Sequence, residues 1–258
     1  MHRKIIIIAY LCLLMGLSGF KPVSAQTTTP ENKWRFLVEP NIMFPNISGQ
    51  TGLGSLPTIP VDADPGDIFE QLHMGAMLYL EAKNEKWAIT SDFVFVNLQQ
   101  DLTPGKLISS GTVTLKQTIW ELAGLYRINS FLEVGVGGRL NYLVTDLEAQ
   151  RNVLPAGSEE LTGHHSKTFY DPILITRLST NIENKWVFQF RGDLGGFGIG
   201  SDFTWQLQAY AGYRFTTLFQ LTAGYRIIGI DYDKGEYEER FIFDMNEFGP
   251  VIRLGFNF

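Results

Sequence analysis

Cysteine is almost absent from this chain. Its one copy, Cys12, lies inside an apolar amino-terminal run, which is a poor place for the lipid-bearing cysteine of a lipoprotein. Basic residues are scarce too, at 21 against 27 acidic ones. That balance argues against nucleic acid as a partner, because neutralising phosphates requires a basic surface. Past residue 25 no stretch is apolar enough for long enough to form a membrane helix, although 45% of the residues are hydrophobic. If the chain crosses a membrane, it does so as strands.

The first 25 residues have the layout of a cleavable signal peptide. Arg3 and Lys4 open it, Ile5 to Leu17 form its apolar core, and Val23-Ser24-Ala25 supply small residues at a cleavage site. The apolar core is too short to span a bilayer. Cleavage there removes Cys12 with Arg3, Lys4 and Lys21, leaving 18 basic residues against 27 acidic ones and no thiol. Residues 26 to 32 are a short polar leader, and one β domain is expected over 33 to 258.

Regular alternation begins at Lys33. Trp34, Phe36, Val38, Pro40, Ile42 and Phe44 take one parity, with Lys33, Arg35, Leu37, Glu39, Asn41 and Met43 on the other. In a strand, two such sets point to opposite faces. The split recurs at 72 to 82, 87 to 95, 115 to 127 and 131 to 144, with one face uncharged apart from Lys116. Further strands are read at 169 to 181, 185 to 197, 203 to 215, 218 to 232 and 241 to 258. Ten strands result, or eight if the short FGIGSD connection at 197 to 202 is not a hairpin.

The connections alternate in length. Those near Asn84-Glu85, Asn129-Ser130, Glu183-Asn184 and Thr216-Thr217 are tight, whereas 45 to 70, 99 to 112, 145 to 168 and 233 to 240 are mostly longer and read as loops. An even strand number with short turns at one end fits a closed antiparallel transmembrane β-barrel.

Aromatic placement decides which face meets lipid. Trp34, Trp87, Trp186 and Phe219 start strands on the uncharged face, and Tyr126, Tyr213, Phe215 and Phe258 end strands arriving at the same side. Together they form one interfacial girdle. Phe44, Tyr142 and Trp205 sketch a second ring at the opposite strand ends.

The other face carries charge, read as running the length of the barrel. It holds Arg35, Arg127, Arg139, Arg177, Arg191, Arg214, Arg226 and Arg253 against Glu39, Glu81, Asp92, Glu121, Glu133, Asp171, Asp193 and Glu247. A ten-stranded lumen is narrow, so unpaired charges would lose hydration without compensation. An arginine–carboxylate network across the interior is expected, with any pore narrow.

The stretch Arg191-Gly192-Asp193-Leu194-Gly195-Gly196-Phe197-Gly198-Ile199-Gly200-Ser201-Asp202, the Thr204-Trp205-Gln206 segment and the Ala-Gly-Tyr-Arg segments at 211 and 223 resemble small outer-membrane β-barrel proteins of Gram-negative bacteria, of the OmpA/OmpW-like kind. Phe258 resembles the terminal aromatic that the outer-membrane assembly machinery recognises in that group. The resemblance implies outer-membrane location after export, with lipid and lipopolysaccharide as partners. It carries no catalytic set.

The residues themselves give little chemistry. Omptin-like proteases use an acidic pair with an Asp-x-His element; the nearest matches here are Asp62-Ala63-Asp64 and Asp231-Tyr232-Asp233, leaving His73 as the only substitute base. A lipid A acyl-transfer site would need a Ser–His pair such as Ser201 and His73. His164-His165 diverge in a loop tip and lack ligand spacing. The acidic run from Asp231 to Glu239 is read as a charged external hairpin, and the glycines of 195 to 200 as a tight turn, not a phosphate loop. No cofactor, metal or catalytic residue is assigned. A structural barrel or narrow passive pore is therefore expected first, a surface-binding module acting through 45 to 70 and 145 to 168 second, and a rim enzyme third.

Overall fold

The computed structural model describes residues 33–54, 57–102, 104, 108–152, 158–180 and 184–258. The signal-peptide and leader readings lie outside the described residues.

Twelve strands form one antiparallel sheet: β1 (Arg35–Met43), β2 (Asn46–Leu53), β3 (Ile59–Ala63), β4 (Leu72–Lys83), β5 (Trp87–Asp101), β6 (Ile108–Arg127), β7 (Leu132–Asn152), β8 (Ser158–Ser179), β9 (Trp186–Gly195), β10 (Phe203–Arg214), β11 (Phe219–Lys234) and β12 (Phe241–Asn257). β4 to β12 pair in sequence order, and β1 closes the ring by pairing with both β4 and β12. The result is a closed ten-stranded barrel with β2 and β3 added outside the ring. The 196–202 connection is a hairpin turn between β9 and β10.

Three of the tight turns share one device. Asn84 Oδ1 accepts from the backbone N–H groups of Lys86 and Trp87, Asn129 Oδ1 from Phe131 and Leu132, and Thr216 Oγ1 from Leu218 and Phe219. A short polar side chain thus stands in for backbone at the reversal.

The reading of 45 to 70 as a loop is corrected. Pro40, which has no N–H to donate, is the last β1 residue paired with β4, and above it the two strands separate. β12 continues past this point, and β2 pairs along Phe241–Phe248, satisfying backbone groups that would otherwise be an open edge. β3 folds back onto β2 and carries Pro60 on the edge of the sheet, where a missing N–H is tolerated. A short helix, α1 (Pro65–Gln71), then leads into β4. Asp64 caps it and Asp67 returns the bond, with Pro65 in its first turn. α1 buries Ile68 and sets Phe69 against Phe44, ring centroids 5.4 Å apart.

The reading of 145 to 168 and 99 to 112 as loops is corrected likewise. β7 runs to Asn152 and β8 starts at Ser158, while β5 reaches Asp101 and β6 begins at Ile108. Hairpin pairing continues there, but the outer face turns polar, with Lys116, Asp146 and His164 joined by Lys116–Asp146 at 3.3 Å and His164–Asp146 at 2.5 Å. Without an apolar face the alternation loses its contrast. The His164-His165 pair therefore lies on β8, not at a loop tip. His164 faces out to Asp146, and the His165 ring packs on Phe241 at 5.3 Å.

Candidate functional site

Outward residues of the ten barrel strands form an uncharged belt. On β9 it is Trp186, Phe188, Phe190 and Leu194; on β7 it is Leu132, Val134, Val136, Leu140, Tyr142 and Val144. The first outward charges above it are Lys116, Asp146, His164, Asp231 and Asp244. Nine to eleven residues per strand is the span a tilted transmembrane strand needs. Even the polar Ser91 in this belt is occupied, accepting from Trp120 Nε1 at 3.0 Å.

The belt ends below in a run of rings. Trp87 meets Tyr126 at 5.0 Å and Trp186 meets Tyr213 at 5.2 Å. From Tyr213 the contacts pass through Phe215 and Phe219 to Phe256, each step between 5.2 and 5.8 Å. Trp34 and Phe258 are exposed at the same end, where Phe258 exchanges both backbone hydrogen bonds with Phe36.

Inside, the charged residues meet across the lumen. Near the aromatic end, Arg177 of β8 reaches Glu81 of β4 and bonds Glu133 through Nε at 2.6 Å. Arg127 adds to Glu133 at 3.0 Å and Lys83 to Glu81 at 2.9 Å. The Tyr79 hydroxyl donates to Glu81 at 2.8 Å and accepts from Arg177 at 2.9 Å. Further up, Arg139 binds Glu121 at 2.9 Å and Asp193 at 2.7 Å, while Arg191 binds the same two at 2.5 and 3.1 Å. Arg226 of β11 crosses to Asp92 of β5 at 3.1 Å and donates to Gln206, which in turn donates to Asp193. Arg253 pairs with Glu39 at 3.4 Å, lies 3.8 Å over the Tyr210 ring and 5.0 Å over that of Tyr79.

Four named charges lie outside the ion pairs just described. Arg35 is exposed at the aromatic end. Arg214 donates to Gln220 and the Asn184 carbonyl, and Glu247 accepts from Gln117 at 2.8 Å. Asp171 is held by neutral donors: the Ser201 N–H at 2.6 Å, its hydroxyl at 2.8 Å and Asn141 at 3.3 Å. Buried charges are tolerated when they are paired and hydrogen-bonded, which explains the density of these contacts, although among the described residues Asp92 Oδ1 and the Nε atoms of Arg139, Arg191 and Arg253 find no hydrogen-bond partner.

Charge does not run the full length of the lumen, and that expectation is corrected. Toward the long-hairpin end the inward face is apolar: Ile119, Phe169, Ile228, Ile230, Tyr232 and Phe241 are buried together, with Val94, Leu143 and Phe243 against them. Phe169 and Tyr232 come from opposite sides of the low β9–β10 wall and approach to 4.4 Å. Inward parity of apolar residues at 119, 143, 169, 228 and 230 is the trace of this layer in the sequence.

The rim candidates for chemistry do not assemble. Ser201 is buried against Asp171 on the β8 side, and His73 is exposed at a bulge in β4. Among the described residues no carboxylate pairs with His73, and no three potential ligands converge as a metal site would require.

Fold and lumen together define a closed antiparallel β-barrel with an apolar outer belt and an interior crossed by ion pairs. No protein-family model and no curated protein matches the sequence. Solved structures similar to it are outer-membrane β-barrel proteins. The P. putida toluene transporter TodX is 10% identical, with 89% of this chain and 91% of that chain covered and a TM-score of 0.37. The outer membrane protease OmpT from Escherichia coli is 8% identical, covering 91% and 100%, with a TM-score of 0.46. Ail, the attachment invasion locus protein of Yersinia pestis, is 9% identical, covering 87% and 98%, with a TM-score of 0.35. At such values none of them speaks for a function of this chain.

Proposed function

We propose that this chain is an integral outer-membrane barrel that conducts nothing and serves as a rigid base for the strands projecting from its long-hairpin end. The observation that carries this reading is the layer of ion pairs crossing the lumen. Arg139, at the heart of it, has 0% of its surface exposed, and its partners Glu121 and Asp193 are buried with it. A water-filled path past these groups would hydrate them. Purified protein in planar bilayers is expected to give no single-channel current; steady unitary currents from the unmodified chain would overturn the closed-barrel reading.

A surface-binding role is the second reading, favoured by strand length. β6, β7 and β8 run 20, 21 and 22 residues, against 10 for β9. The excess lies above the belt, where it does not help to cross a bilayer. Cells displaying a chain shortened between 145 and 168 are expected to lose adhesion or ligand capture while retaining the barrel; unchanged surface interactions would remove this reading.

A further inference from the structure

The connection between β9 and β10 joins the two shortest strands that run the barrel's height on this side, of 10 and 12 residues, between taller neighbours. The turn is nonetheless fixed on both flanks. Asp171 of β8 takes the N–H and hydroxyl of Ser201, the Pro172 carbonyl takes the Gly196 N–H, and the Asp231 carbonyl of β11 takes the Asp202 N–H. Gly200 lies so close to β8 that a Cβ there would meet the Tyr170 carbonyl at 2.3 Å.

What this clamp presents is apolar. Phe197 is 53% exposed and Ile199 73% exposed. Phe197 also sits at φ +49°, a left-handed conformation that a bulky residue adopts at a cost and keeps only where its surroundings enforce it. The turn lies alongside Tyr170, an exposed member of the outer belt on β8, and next to the Asp202–Lys234 ion pair. On β9 the belt stops at Leu194, and Phe197 and Ile199 continue its apolar surface beyond that strand.

We propose that this turn is a lipid anchor: Phe197 and Ile199 lie among the acyl chains of the outer leaflet, with Asp202 and Lys234 at headgroup height. The turn thereby completes the belt where the barrel wall is lowest and holds the bilayer edge at that point. This rests on the membrane-barrel reading and adds to it a defined seat for lipid.

The chain's only cysteine is Cys12, so a Cys12→Ser background accepts single labels. Nitroxide is placed at Phe197→Cys, at Ile199→Cys, at Leu174→Cys in mid-belt and at Tyr237→Cys, which lies on the exposed 237–239 turn. Each is reconstituted in phosphatidylcholine vesicles and its relaxation measured with oxygen and with a water-soluble nickel chelate. Labels at 197 and 199 are expected to follow Leu174, sensitive to oxygen and shielded from nickel, while Tyr237 shows the reverse. If 197 and 199 follow Tyr237 while Leu174 stays shielded, the anchor is wrong and the barrel stands. If Leu174 itself is open to nickel, both fall. A second variant, Asp171→Asn, checks the clamp: both turn labels are expected to gain mobility, and unchanged spectra would show that Asp171 does not hold the turn.

Discussion

Arg139 has no exposed surface and two carboxylates within hydrogen-bond distance, so its removal leaves Glu121 and Asp193 to Arg191 alone among the cations. Breaking a buried pair by deleting one partner typically costs about 3–5 kcal/mol, because the remaining charge stays buried without compensation. Arg139→Ala is therefore expected to lower stability by that amount in urea unfolding followed by tryptophan fluorescence. Arg35→Ala, at an exposed position, should stay within about 0.5 kcal/mol of the parent. Equal losses from both would mean that the ion layer is not what holds the wall together. The sequence placed both arginines on one face, but parity does not reveal depth, and only the closure of β1 onto β12 separates mouth from middle.

The charges above the belt respond to pH in two directions. Hydrogen bonds from Lys234 and Arg240 hold Asp202 and Asp233 below the ordinary aspartate range, so their contribution persists at neutral pH and is lost as pH falls through those lowered values. Asp231 is the opposite case. Partial burial raises it, and the nearby Asp244, Asp202 and Asp233 raise it further. Its folded form favours the proton, so stability is full below the ordinary value and lost as pH rises through the raised one. Asp231→Asn is expected to stabilise at pH 7 by no more than about 1 kcal/mol, given its exposure, with the gain vanishing in acid. Thermal unfolding across pH reads this, and a gain that persists in acid would contradict the assignment.

At the scale of elements, the strands that cross the belt were legible because one face must be apolar along their whole length, as in Trp87-Ile89-Phe93. The segments above it were not. There, pairing is decided by backbone continuity across the hairpin, and the side chains of Thr112, Glu148 and Thr162 give no periodic contrast although they share one register. β2 and α1 were hidden for a second reason: Gly49, Gly52, Gly54, Pro60 and Pro65 read as loop, yet the edge of β12 recruits the first two and Asp64 caps the helix beginning at the last. β8 shows the same backbone logic. Residues 158 to 172 pair with β7 but not with β9, whose ladder begins at Ile173. An antiparallel edge strand turns alternate N–H groups away from its only partner. Hydrogen exchange resolved by residue should show protection at every second amide from 159 to 169 and at consecutive amides from 173 to 179. Uniform protection over both stretches would mean that another strand covers this edge.

For the whole molecule, the proposed closed barrel would be sealed twice, by different chemistry in series. The lower closure is ionic, and the pairs that bridge opposite walls are Arg177–Glu81 and Arg226–Asp92. The upper closure is apolar and depends on Phe169, Tyr232 and Phe241 meeting above the low β9–β10 wall. The inward charges made the first legible in the sequence. The second was not, because apolar residues on the inner parity meet only through contacts between strands distant in sequence. Closures in series have a consequence that a single plug lacks. Cutting the three aromatic residues to alanine leaves the ionic layer in place, and cutting Arg177, Glu81, Arg226 and Asp92 to alanine, two of each sign, leaves the apolar one. Each variant alone is expected to stay silent in planar bilayers, and the sevenfold combination to conduct, with heat-shifted gel mobility confirming that every barrel has folded. Current from either single-layer variant would show that the other layer does not seal; silence from the folded combination would show that these seven side chains are not what closes the lumen, the Arg139–Arg191–Glu121–Asp193 cluster being left in place.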